Sequence, residues 1–129
     1  VNTRFFWMLL LGFSIVGCGT AATPTQYAVS PEQVTLSVYE AAFKKDYDAI
    51  KPHLTDELLS AEQSNMAQAW GKRLDGVKAP YEFSVQDEKR SHSGSETTVL
   101  MSTPKGIQEV HLQLIGKDWR IRSAAMKSP

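Results

Sequence analysis

The chain has 129 residues, with 14 Lys+Arg balanced by 14 Asp+Glu, three His and one Cys. That length is one domain, and a formal net charge of zero argues against a dedicated nucleic-acid binder. Hydrophobic residues make up 42%, enough for a packed core, and a single cysteine excludes both an intrachain disulfide framework and a cysteine-cluster zinc site.

The N-terminus reads as an address. Arg4 precedes an apolar run from Phe5 to Val16, 12 residues long. At about 1.5 Å per residue such a helix spans roughly 18 Å, short of the roughly 30 Å hydrocarbon core. Residues 1–17 are therefore expected to be a signal peptide rather than a membrane span. Val1 in place of Met is what a GTG start codon read literally gives, and a truncated N-terminus gives it too.

The end of the run, Ile15-Val16-Gly17-Cys18, resembles the bacterial lipobox. The resemblance implies cleavage before Cys18 and lipidation of its thiol, with palmitate among the acyl chains. Two or three chains, at about 0.8 kcal/mol per buried CH₂, hold a domain durably on a membrane. Gly19 rather than Asp follows the cysteine. By the same resemblance the periplasmic face of the outer membrane is the expected location. The alternative is an ordinary apolar residue closing a secretory signal. Residues 18–29 are small, polar and aperiodic, a lipidated tether that reaches roughly 35 Å when extended.

The domain is expected over residues 30–126. Ser30-Pro31-Glu32-Gln33 is a helix start: Ser30 caps, Pro31 loses nothing at the first helical position, and Gln33 completes a capping box. The helix is expected to run to about Lys45, with Leu36, Tyr39 and Phe43 on one stripe and Val34, Val38, Ala41 and Ala42 beside it. Asp46 can cap a short second helix that buries Tyr47, Ile50 and Leu54 and is stopped or bent by Pro52. Thr55-Asp56-Glu57 starts a third helix with Leu58, Leu59, Met66, Ala69, Trp70 and Leu74 on its buried stripe. Its polar middle, Ser60 to Asn65, is expected to be exposed or frayed.

From Tyr81 the period changes to two. Four strands separated by short Gly- or Pro-containing turns make an antiparallel meander. The inward set is Tyr81, Phe83, Val85, Thr97, Val99, Met101, Val110, Leu112, Leu114, Trp119 and Ile121. The charged strand residues Glu82, Glu109, His111, Arg120 and Arg122 fall on the other face. The fold class is α+β: three N-terminal helices packed on a curved, four-stranded antiparallel sheet.

The segment SPEQVTLSVYEAAFKKDYDAIKPHLT and the closing hairpin VHLQLIGKDWRIRSA resemble small bacterial lipoproteins of the nuclear-transport-factor-2-like superfamily. The resemblance covers Ser30 to Ala124 and implies a cone, a curved sheet wrapped around helices. Pro52 in the second helix and the weak middle of the third depart from that pattern.

Catalysis in such a cone needs an acid, a base or an oxyanion donor facing inward, and no inward position is Asp, Glu or His. No catalytic residue, cofactor or metal is therefore expected. His53, His92 and His111 lack ligand spacing. Ser91-His92-Ser93 lies in a turn without the buried acid of a triad. Asp46 and Asp48 read as helix-start acids. Lys44-Lys45 and Lys72-Arg73 are pairs rather than tracts, so no nucleic-acid surface is expected.

Tyr39, Tyr47, Tyr81 and Met101 are the candidate ligand contacts in an otherwise apolar lining, although residues such as Tyr39 and Tyr47 are more often core aromatics. The expected function is a non-catalytic envelope lipoprotein binding a small apolar ligand or a protein partner, as a monomer or weak dimer. The alternatives are an isomerase- or dehydratase-like enzyme and a structural or immunity-type interaction protein. A hollow cone favours a ligand; a filled one favours the interaction protein.

Overall fold

A computed structural model describes residues 29–128. The expected signal peptide and the expected lipidation site, Cys18, lie outside the described residues. The domain is α+β, with helices followed by one antiparallel sheet of order β1-β2-β3-β4.

Helix α1, Pro31–Phe43, begins with the expected N-cap, Ser30 Oγ accepting the Gln33 N–H at 3.2 Å, but the Gln33 side chain makes no return bond to the Ser30 N–H and the capping box is not closed. Val34, Thr35, Val38, Tyr39 and Ala42 are buried, while Leu36, Ala41 and Phe43 pack at the margin. The Thr35 hydroxyl donates to the Pro31 carbonyl at 2.8 Å, which lets a polar residue join the buried stripe.

The helix stops at Phe43. Lys45 takes a left-handed conformation, φ 63°. Its N–H donates to the Ala42 carbonyl at 3.0 Å, and the Asp46 N–H donates to that of Ala41 at 2.8 Å. These two bonds close a Schellman motif. Asp46 does stand at the start of α2, Tyr47–Ile50, but its side chain makes no capping bond. A 3₁₀ turn, Lys51–His53, follows where Pro52 removes a donor.

The third helix expected from Thr55 is two helices. Thr55 Oγ1 accepts the Leu58 N–H and starts α3, Asp56–Glu62, and α4 spans Met66–Arg73. The polar stretch Gln63-Ser64-Asn65 breaks the rod because nothing apolar holds that turn against the sheet. The described residues thus form four α-helices rather than three.

The strands are β1, Ser84–Arg90; β2, Glu96–Thr103; β3, Gly106–Ile115; and β4, Asp118–Met126. Phe83, Val99, Met101, Val110, Leu112, Trp119, Ile121 and Ala124 form one core with Val34, Val38, Tyr39, Ala42, Ile50, Leu54, Met66 and Trp70 of the helical layer. The outer edge of β4 is partly covered: the Thr55 N–H donates to the Ile121 carbonyl at 2.9 Å, and Arg73 Nε to that of Ala124 at 3.1 Å.

Two irregularities re-aim side chains. Val85 pairs with Met101 but Asp87 pairs with Leu100, so Gln86 is an extra residue in β1. On β4, Ser123 pairs with His111 and Ile121 with Leu112, which makes Arg122 the extra residue. Tyr81 is not an inward strand position. It lies in a 3₁₀ turn, Pro80–Glu82, and is 85% exposed. The Glu82 carboxylate accepts the Lys78 and Ala79 N–H groups and holds that turn short of the sheet.

Candidate functional site

The four candidate ligand contacts do not line one cavity. Tyr39 and Met101 are fully buried in the core, Tyr47 is half-buried at its edge, and Tyr81 faces solvent. Tyr39 meets the Trp70 ring edge-on at 5.7 Å and the Phe83 ring at 5.9 Å. The space between helices and sheet is filled by these rings and by Val38, Ile50, Val99 and Met101, all fully buried or nearly so.

An open cleft of about 510 Å³ lies instead at the margin, between α3, α4 and the far ends of β3 and β4. Ala61, Glu62 and Asn65 form one wall, Gln68, Ala69, Lys72 and Arg73 another, and Gln108 with Ala124, Ala125 and Met126 the sheet side. Small side chains leave the space, and amides and charges edge it.

Its floor is the Glu62–Arg73 pair. Arg73 Nη1 and Nη2 donate to the two carboxylate oxygens at 3.0 and 2.7 Å, a bidentate fork. The two side chains are 12% and 15% exposed. The guanidinium also stacks 4.3 Å from the Trp70 ring centre. In an unbroken helix these residues, 11 apart, would be separated by about 16 Å of rise. The break at residues 63–65 is what brings them together.

The pair continues inward as a chain of hydrogen bonds. The Arg73 carbonyl accepts from Gln108 Nε2, and Gln108 Oε1 accepts from the Tyr39 hydroxyl. Burial pushes the Tyr39 phenol well above its ordinary pKa, with the Arg73 charge opposing only in part. The hydroxyl therefore remains protonated and acts as a fixed donor. Gln108 has the same two-residue spacing as Val110, Leu112 and Leu114, so its inward position was available from the period. No local pattern announces that Glu62 and Arg73 meet.

The inner face also carries charge, contrary to the alternation expected of β1. After the bulge at Gln86, Glu88 pairs with Val99 and Arg90 with Thr97, both inward positions. The Thr97 hydroxyl and Arg90 Nε both donate to Glu88 Oε2, the latter at 2.9 Å. Arg90 lies 5.4 Å over the Trp119 ring. Partial burial raises the Glu88 pKa, but the Thr97 and Arg90 contacts outweigh it and hold the carboxyl below its usual range.

His53 closes the 3₁₀ turn, His92 lies in the β1–β2 turn, and His111 faces outward on β3. Among the described residues no three His, Cys, Asp or Glu side chains are grouped to hold a metal, and no helix is long and apolar enough to cross a membrane. No protein-family model, curated protein or solved structure matches this chain.

Proposed function

We propose that this chain is a lipid-anchored protein of the bacterial cell envelope, non-catalytic, whose nuclear-transport-factor-2-like cone presents the Glu62–Arg73 cleft to a protein partner. The observation that carries the reading is the filled interior beside an open margin. Tyr39, Trp70 and Met101 occupy the volume that an enclosed apolar ligand would need, while the cleft is open and edged by Asn65, Gln68 and Lys72. Amide side chains of this kind pair with backbone amides of a polypeptide, and the alanine walls admit its close approach.

The chemistry available there suits binding. Glu62 is held by both guanidinium nitrogens and the Tyr39 hydroxyl is engaged with Gln108, so neither group is free to act as an acid or a base. The anchor rests on the Ile15-Val16-Gly17-Cys18 lipobox, and the tether behind it lets the domain reach a neighbour in the envelope.

Two measurements test the two halves of this reading. Labelled palmitate should enter the wild-type chain and not Cys18→Ser; equal labelling removes the anchor. A photo-crosslinker placed at Gln68 on the cleft should give a discrete protein adduct in the native envelope, and one at Lys117 in the β3–β4 turn should not. Adducts absent from both positions, or found only at Lys117, reject the cleft as the binding surface.

A further inference from the structure

We propose that the outer face of the sheet carries a second, separate site, a pocket that binds a phosphate-type oxyanion. It has a volume of about 230 Å³, with Lys89, Glu96, Thr98, His111 and Arg122 among its lining. A water's share of liquid volume is about 30 Å³, so one phosphate group and part of its hydration shell fit.

The register builds this pocket. Lys89 pairs with Thr98, Thr98 with His111, and His111 with Ser123, which makes one row across all four strands. The β4 bulge adds Arg122 to the row's end beside Ser123. Strands lie about 4.8 Å apart, so Lys89 on β1 and Arg122 on β4 are about 14 Å apart at the backbone. Their long side chains can converge from opposite sides over Thr98 and His111.

Charge and donors then specify the ligand. Among the described residues neither Lys89 nor Arg122 forms an ion pair, whereas Arg90, also in the lining, is committed to Glu88. Thr98 Oγ1 and His111 Nδ1 lie 3.0 Å apart. With the hydroxyl donating, the ring proton sits on Nε2, a further donor. Two cations and an imidazole spread around a small space match the several oxygens of a tetrahedral oxyanion better than the two of a carboxylate. Glu96 is the one carboxylate in the lining and opposes binding. This site shares no residue with the cleft and does not rest on its assignment.

The test uses the full chain in neutral maltoside micelles, titrated with inorganic phosphate and followed by the Thr98 amide and His111 ring resonances. The shifts should saturate. Lys89→Gln and Arg122→Gln should each weaken binding about tenfold, the loss of one charge-assisted contact. Glu96→Gln should tighten it, which damage to the fold would not do. Adding phosphatidylglycerol to the micelles separates two sources of the same chemistry. Displacement of inorganic phosphate assigns the pocket to a lipid headgroup, and no displacement assigns it to a soluble phosphate compound. Shifts that grow linearly without saturating, or that are unchanged in the Lys89→Gln/Arg122→Gln double variant, overturn the proposal.

Discussion

Tyr39 on α1 donates its phenolic hydrogen to Oε1 of Gln108 on β3, a bond between buried groups 69 residues apart in the chain. It ties the helical layer to the sheet. The other end of the same amide donates to the Arg73 carbonyl on α4, so one glutamine links three elements.

Tyr39→Phe keeps the ring contacts with Trp70 and Phe83 and removes only the donor. It leaves Gln108 Oε1 buried and unpaired, a loss of about 1–3 kcal/mol. Urea unfolding should show a lower midpoint with an unchanged slope. An unchanged midpoint would mean that water or another donor satisfies the amide.

The raised Tyr39 pKa gives a signature in base. The unfolded phenol releases its proton near its ordinary value of about 10, before the folded one does. The stabilisation is therefore complete below about pH 10 and is lost as pH rises above it. Tyr39→Phe has no such proton to lose. The stability gap between wild type and Tyr39→Phe should hold up to about pH 9.5 and narrow steadily from about pH 10 to about pH 11.5. A gap that stays constant over that interval refutes the assignment.

The meander was legible in sequence because each of its inner positions repeats every second residue. Val99, Met101, Val110, Leu112, Trp119 and Ile121 are buried where that period puts them. The period fails where a bulge inserts a residue. Gln86 shifts the remainder of β1 and turns Glu88 and Arg90 inward, and nothing in the string SVQDEKR marks the insertion. Helix starts were legible because Ser30 and Thr55 act locally. The cleft was not, since Glu62 and Arg73 meet only because the chain turns at the α3–α4 break. Tyr81 misled because an aromatic at the right spacing looks like a strand residue, while Pro80 and Glu82 hold it in a turn.

Arg73→Lys is expected to behave as a disruptive change. Lysine keeps the charge but lacks the fork that bonds both Glu62 oxygens, the Nε–H that reaches the Ala124 carbonyl, and the plane that stacks on Trp70. It should lose about 1–3 kcal/mol. Arg73→Ala strands the Glu62 carboxylate in a buried site and should lose about 3–5 kcal/mol. Pairing Arg73→Met with Glu62→Leu removes both charges and should recover most of that loss. Denaturant curves on the four proteins decide the matter. Equal stability of Arg73→Lys and wild type would show that only the net charge matters there.

Lys45 is a site where the sequence departs from what its backbone favours. It is the only non-glycine residue with positive φ among the described residues. The left-handed conformation costs an L-residue with a Cβ roughly 1–2 kcal/mol. The Schellman bonds from Lys45 N–H to Ala42 and from Asp46 N–H to Ala41 require that conformation, so the chain cannot relax it without opening the end of α1. Glycine removes the steric cost but adds freedom to the unfolded chain, which takes back part of the gain. Lys45→Gly should therefore raise stability by about 0.5–1 kcal/mol. Lys45→Val, β-branched and excluded from that region, should lower it by at least as much. Thermal unfolding of the three proteins gives the order Gly above Lys above Val. The reverse order for Gly and Lys would mean that α1 ends differently in solution and that Lys45 is free to leave the left-handed region.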